Sequence, residues 1–214
     1  MRRLSWIDRI LTEVNLGLDS VFISPDALPQ EESPSKKMSL QQNLSSEDRR
    51  HASGLIRVDH TGEICAQALY RGQAFLARKV ETKNALWNAA IEEHNHLIWC
   101  RERLHELGAH PSYLNGLWYT ASFLIGLVAA SLGDDWSNGF VVETERQVEA
   151  HLGRHLAELP LQDERSRAIL VKMQEEEKDH AYAADKRGAK DLPLWVKRLM
   201  SLKSQVMTRT AYWV

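Results

Sequence analysis

The sequence predicts an all-α protein built on a four-helix bundle. Three observations carry this. No stretch sustains the every-second-residue apolar alternation of a half-buried strand, four long segments repeat apolar residues at helical spacing, and the breaks between them hold proline, glycine or polar turn residues. With 214 residues the chain can bury a core in one main domain. Its formal net charge of −2 gives neither the basic footprint of a nucleic-acid binder nor an acidic tail.

Taken in order, Leu4, Ile7, Ile10, Leu11, Val14 and Leu18 predict a short amphipathic helix within residues 1–23. Arg2 and Arg3 are followed by Asp8, Arg9 and Glu13 rather than by an apolar run, so no secretion signal is expected. Residues 24–46 are rich in proline, serine, glutamine and charge, with Pro25, Pro29 and Pro34 among them, and are expected to form a flexible linker. The bundle domain is then expected over 47–214. Ser45, with Asp48 three positions on, marks the start of a first long helix that runs without proline to about Val80. A second runs from about Asn84 to Leu107, closed by Gly108 and Pro111. Residues 111–133 carry no charge, and Leu114 to Leu132 is mostly apolar or aromatic, which predicts an apolar crossover helix or a helix at a membrane interface. Gly116, Gly126 and the serines and threonine in this stretch weigh against a membrane span. A third long helix is expected from about Ser137 to Leu159, ended by Pro160, and a fourth from about Glu164 to Arg187. Pro193 precedes a last amphipathic helix that reaches toward Val214. Cys65 and Cys100 fall inside helical patterns and are expected as reduced thiols.

Each long helix interrupts its apolar stripe with a carboxylate. Glu63 lies on the face of Ile56, Ala66 and Tyr70. Glu93 and His96 lie with Leu86, Ala90, Leu97 and Cys100, Glu145 with Val141, Val148 and Leu152, and Glu177 and His180 with Ile169, Met173 and Ala184. An ionised carboxylate facing an apolar core costs several kcal/mol unless it is paired or binds metal, so four of them need a common explanation. Singly, each would be read as a solvated surface group; together they match in type, order, spacing and face. Two divalent cations would balance four carboxylates, and the two histidines would ligate as neutral imidazoles. Glu93-x-x-His96 and Glu177-x-x-His180 are i, i+3 pairs that project to one side of a helix. Glu63 and Glu93 are 30 residues apart with midpoint 78, and Glu145 and Glu177 are 32 apart with midpoint 161, beside the expected turns. In antiparallel hairpins all six residues reach one height, as in ferritin-like bundles. Oxygen and imidazole donors suit manganese as well as iron.

The sequence resembles the demethoxyubiquinone hydroxylase family of ubiquinone biosynthesis over roughly residues 49–214. The resemblance rests on Arg57-Val58-Asp59-His60-Thr61-Gly62-Glu63, on Glu93-His94-Asn95-His96, on Glu143-Thr144-Glu145 with His151 downstream, and on Glu176-Glu177-Lys178-Asp179-His180. It implies a ferritin-like fold, two iron ions, O2 as co-substrate, and hydroxylation of the ring of a polyprenylated methoxy-methyl-benzoquinol in the penultimate step of the pathway. By position it implies that Glu63 and His96 bind one iron, that Glu145 and His180 bind the other, and that Glu93 and Glu177 bridge. It also suggests a catalytic role for His151. Some relatives carry a tyrosine after that histidine where this chain has Leu152. Asp59 is a candidate to orient a ligand histidine or to pair with an arginine. No residue is assigned to substrate binding. Other readings of the same fold are iron storage and a di-iron hydroxylase of tRNA; the first expects a cage-forming soluble surface, the second a basic groove.

A polyprenyl quinol lives in lipid, so peripheral contact with the cytoplasmic face of the cell membrane is expected through Leu114–Leu132, through the stretch from Trp195 to Val206, or through both. The latter places Trp195, Leu199, Leu202 and Val206 on one face, and the final stretch to which it belongs carries Lys197, Arg198, Lys203 and Arg209. A homo-oligomer or a biosynthetic complex is left open. Tyr70, Cys100 and His60 tempt a catalytic reading but are expected to be core residues.

Overall fold

The computed structural model describes residues 5–22, 31–39 and 43–214. Seven α-helices occur among the described residues: α1 Trp6–Val21, α2 Ser46–Leu76, α3 Val80–Glu106, α4 Asn115–Ser131, α5 Asp134–Glu158, α6 Glu164–Lys186 and α7 Leu194–Ala211. No strand occurs among the described residues. The hairpins α2–α3 and α5–α6 form the four-helix bundle, α4 lies along the outer side of α2, and α7 packs on α2 and α5. The fold is the all-α bundle with an apolar crossover helix and a C-terminal amphipathic helix that the sequence predicts.

Local chemistry sets the ends of the helices. Ser45 and Asp48 cap α2 reciprocally, the Asp48 amide donating to Ser45 Oγ at 3.1 Å and the Ser45 amide to Asp48 Oδ2 at 3.3 Å. The first hairpin turns at residues 77–79, a little earlier than the break expected between about Val80 and Asn84. Asp134 explains the shift, because its carboxylate accepts from the amides of Arg78 at 3.0 Å and Lys79 at 2.8 Å and so caps the start of α3 from another helix. Gly133 at φ 111° makes the tight α4–α5 corner.

The long α2–α4 contact depends on two glycines. A Cβ on Gly72 would stand 2.3 Å from the Phe123 carbonyl oxygen, and one on Gly126 would stand 2.3 Å from that of Leu69, so the two backbones touch. Trp118, Tyr119, Ser122 and Ala129 face this seam, while Leu117, Leu124, Val128 and Leu132 stay exposed. Among the described residues no helix is long and apolar enough to cross a membrane.

Two of the four apolar clusters among the described residues plug the bundle on either side of the carboxylates. Leu55, Ile56, Trp99, Leu104, Leu152, Ile169, Leu170 and Met173 fill one. Leu69, Tyr70, Leu86, Ala90, Val141, Val142 and Ala184 fill the other. On each bundle helix the carboxylates lie between these two sets. Truncating a fully buried member such as Leu170 is expected to cost about 2–5 kcal/mol.

Residues 31–39 depart from the expected linker. They carry a 3₁₀ turn at Pro34–Lys37 and dock on the bundle, with Ser33 and Ser35 buried, Trp99 Nε1 donating to the Glu31 carbonyl at 3.0 Å and Arg165 Nη1 to that of Met38 at 3.0 Å. The docking is made of polar bonds to main-chain carbonyls, which leave no hydrophobic pattern to read. The rest of the expected linker is described only at 31–39 and 43–46, and Leu4 of the first amphipathic pattern lies outside the described residues.

Candidate metal centre

The hairpin geometry brings Glu63 of α2, Glu93 and His96 of α3, Glu145 of α5, and Glu177 and His180 of α6 into one layer. Their donor atoms form two groups, Glu63–Glu93–His96–Glu177 and Glu93–Glu145–Glu177–His180, in each of which they lie within 4.8 Å of one another. Each group could hold one metal ion, and Glu93 and Glu177 belong to both. His96 Nδ1 stands 3.4 Å from Glu63, 3.1 Å from Glu93 and 3.5 Å from Glu177. His180 Nδ1 stands 3.3 Å from Glu93, 3.8 Å from Glu145 and 3.7 Å from Glu177. The two halves are near-twofold copies.

The electrostatics are those of anions crowded into a dry core. Burial and then the neighbouring Glu93 push Glu63 well above the usual carboxylate range, and burial and then Glu177 do the same for Glu145. Burial would also raise Glu93 and Glu177, but contacts with the two histidines outweigh it and hold both below their ordinary value. Burial disfavours a charged His96 and a charged His180, yet the surrounding carboxylates raise both. Glu63 Oε2, Glu93 Oε1, Glu145 Oε2, both oxygens of Glu177 and Nδ1 of His180 are buried without an aligned hydrogen bond. Such convergent unmatched donors fit a pair of divalent cations. Tyr70, fully buried, donates its hydroxyl proton to Glu145.

Sequence reasoning missed the groups that orient the histidines. His96 Nε2 meets Glu176 at 2.7 Å, and His180 Nε2 meets Glu92 at 2.5 Å, so each histidine is held from behind by a carboxylate of the opposite hairpin while Nδ1 faces the cluster. A readable signal existed: a second glutamate precedes the glutamate of both Glu-x-x-His motifs.

Asp59 approaches neither His96 nor His180, and its nearest charged neighbour is not an arginine. Its Oδ1 lies 2.8 Å from Nδ1 of His155 and 3.6 Å from Nε2 of His151, both on α5. His155 was also missed, although it follows His151 by one helical turn. His60 is buried against Asn115 of α4, and Cys100 Sγ contacts Met173 Sδ at 3.8 Å, both as core residues; Cys65 and Cys100 are free thiols.

A cavity of about 600 Å³ opens between α2, α4, α5 and α7. Leu69, Ile125, Phe140 and Val148 line it, Glu63, Asp59 and His151 lie in its wall, and Val128, Leu132, Trp195 and Leu199 form an exposed apolar rim.

Two comparisons agree with this geometry. The family described as "Ubiquinone biosynthesis protein COQ7" matches residues 50–211. Proteins named 3-demethoxyubiquinol 3-hydroxylase from Francisella tularensis subsp. novicida and Francisella philomiragia are each 52% identical to the chain, over 99% of both partners. With a family match over most of its length and relatives this similar from end to end, the chain belongs to the COQ7 family of ubiquinone biosynthesis proteins.

Proposed function

We propose that the chain is a 3-demethoxyubiquinol 3-hydroxylase, an O2-dependent monooxygenase that hydroxylates the ring of a polyprenylated methoxy-methyl-benzoquinol at a centre of two irons. The observation that carries this reading is the cavity that joins an exposed apolar rim to Glu63. Its volume of about 600 Å³ suits a substituted quinol ring with the first part of its tail. A storage protein has no use for an apolar channel ending on a metal ligand, and a tRNA enzyme would line it with cations.

Glu63 and His96 would hold one iron, Glu145 and His180 the other, with Glu93 and Glu177 shared. Two bound irons would supply the activation of O2, one atom of which enters the ring as hydroxyl while the other leaves as water, the two electrons for that water coming from the quinol itself, which then leaves as the quinone, or from a reduced nicotinamide. The chain's own part is to bind, dry and orient. Leu69, Ile125 and Phe140 exclude water from the ring. His151, whose pKa burial lowers to about 4, is neutral and faces the cavity, where its imidazole hydrogen-bonds a quinol hydroxyl and orients the ring. Asp59, 3.6 Å from Nε2, helps to hold this imidazole in place.

The rim supports docking on the cytoplasmic face of the cell membrane. Leu117, Leu124 and Val128 of α4, Leu132 just after it, and Trp195, Leu199, Leu202 and Val206 of α7 are exposed, and Arg198 and Arg209 stand exposed on α7 to meet anionic headgroups. The quinol would then enter from lipid without crossing water. Incubation of the iron-loaded protein with a short-chain demethoxyubiquinol and ¹⁸O2 is expected to give ring-hydroxylated product carrying one labelled oxygen. Protein holding two irons per chain that yields no hydroxylated product would defeat the proposal.

A further inference from the structure

We propose that Asp59, His151 and His155 form a separate, mononuclear site for a late first-row divalent cation of the zinc class, and that a cation bound there closes the cavity to the quinol. The three donors come from two helices and share no residue with the six-membered cluster. Asp59 projects from α2 one turn before Glu63, and His151 and His155 project one turn apart from α5 toward it, with ring centroids 3.9 Å apart. One ligand atom from each lies within 4.8 Å of the other two. The Asp59 side chain is fully buried, and those of His155 and His151 are 8% and 16% exposed.

Hydrogen bonding leaves this trio unsatisfied. Both oxygens of Asp59, Nδ1 of His155 and Nε2 of His151 are buried without an aligned hydrogen bond, although His155 Nδ1 and Asp59 Oδ1 are only 2.8 Å apart. With Nδ1 of His155 and Nε2 of His151 deprotonated, as metal binding requires, lone pairs of two imidazoles and a carboxylate converge on one point. In a tetrahedral site with metal–ligand distances of about 2.0–2.2 Å, neighbouring donors stand roughly 3.3 Å apart. The observed 2.8 and 3.6 Å straddle that spacing, so small side-chain rotations complete the site. Two imidazoles and one carboxylate select first-row transition metals over magnesium or calcium, which prefer all-oxygen sites; Fe(II) suits the same donors, and the general affinity order places nickel, copper and zinc above it.

The site's open side decides its consequence. Asp59 and His151 lie in the cavity wall next to Glu63, whereas His155 is behind them and does not line it. A cation held by all three presents its remaining position to the cavity, where a bound water or anion occupies the space of the quinol ring. It also takes up the His151 nitrogen that the hydroxylation reading uses. The occlusion therefore rests on that reading, while the metal site does not.

The test uses full-length protein already holding two irons per chain, dialysed against Zn²⁺, with iron and zinc counted together and Co²⁺ as a spectroscopic stand-in for zinc. One zinc per chain is expected to bind with both irons retained, and Co²⁺ is expected to give the visible bands of a low-coordinate N/O site. His155→Gln should keep both irons and basal turnover but weaken zinc by more than the roughly 10–100-fold typical of losing an outer-shell partner. Asp59→Asn should lose the same zinc. No third equivalent in the wild type, zinc that enters only by expelling iron, or an unchanged third equivalent in His155→Gln would each overturn the site. Zinc is further expected to inhibit quinol hydroxylation in the wild type and not in His155→Gln; binding without inhibition overturns the occlusion. If hydroxylation is absent before zinc is added, the proposed function fails and the metal count still decides the site.

Discussion

Where the far end of α3 meets the start of α6, Arg103 and Arg165 face Asp163 and Glu106. Arg103 reaches Asp163 at 2.7 Å and Glu106 at 2.8 Å, and Arg165 reaches Glu106 at 2.5 Å. Two cations meet two anions, Arg103 Nε is also satisfied by Ser166 Oγ at 2.8 Å, and Asp163 accepts from the Ser166 amide at 3.0 Å to cap α6. Further along the same bundle, four carboxylates face two imidazoles. Among the side chains of the four-residue network only Asp163 Oδ2 lacks an aligned bond, against five carboxylate oxygens in the six-residue cluster. Both clusters are buried and charged, so burial alone does not distinguish structure from function. What distinguishes them is whether the protein supplies its own counter-charge: the arginine network is closed, and the glutamate cluster calls for charge from outside the chain.

The largest expected effect tests the open cluster. Removing a shared ligand, in Glu93→Ala or Glu177→Ala, should abolish binding of both irons, whereas Glu63→Ala should spare the His180 half. Iron per chain by metal analysis decides this, with helicity measured alongside. Full occupancy in both Glu93→Ala and Glu177→Ala would sink the bridging assignment and with it the contrast. The closed network should respond oppositely. Arg103→Met strands Asp163, whose side chain is fully buried, and is expected to cost about 3–5 kcal/mol in denaturant unfolding while leaving two irons per chain.

This contrast also marks how far the sequence could be read. The six cluster residues were legible because each interrupts an apolar stripe at helical spacing, and because hairpin midpoints at 78 and 161 fall in real turns. The long helices were legible from their caps and breaks. The arginine network was not, since Arg165 looks like a surface charge until residues 31–39 fold over it, and Arg103 until the start of α6 packs against it; with proline and serine but no apolar period, residues 31–39 read as linker. The Asp134 cap on α3 joins residues more than 50 apart and has no local signature. The Asp59 contacts were invisible for the same reason, because they depend on the register of α2 against α5.

An intermediate effect concerns the groups that tie the open cluster to its surroundings. Glu176 backs His96 and is itself bound by Lys172 at 2.6 Å; Glu92 backs His180. Glu176→Gln and Glu92→Gln should keep the ligands but lower iron affinity about 10–100-fold, the range for loss of a carboxylate behind a ligand histidine. Competition with a chelator measures this. Affinities unchanged in both variants would mean that the helix backbones alone fix the imidazoles.

The smallest effect is a pH dependence in the closed network. Burial would raise the Glu106 pKa, but the bonds from Arg165 and Arg103 outweigh it and hold the carboxyl below its ordinary 4.5. A lowered native pKa stabilises the fold above the unfolded value and loses that contribution as pH falls through the native one. Glu106 is partly exposed, so solvent screens the interaction, and Glu106→Gln should cost only about 0.5–1 kcal/mol at neutral pH. The measurement is the difference in unfolding free energy between wild-type and variant metal-free protein, in which protonation of the cluster carboxylates is common to both and cancels. That difference should shrink as pH drops below 4.5. A difference that stayed constant into acid would show that Glu106 contributes through packing, and the network would then owe its closure to Arg103 and Asp163.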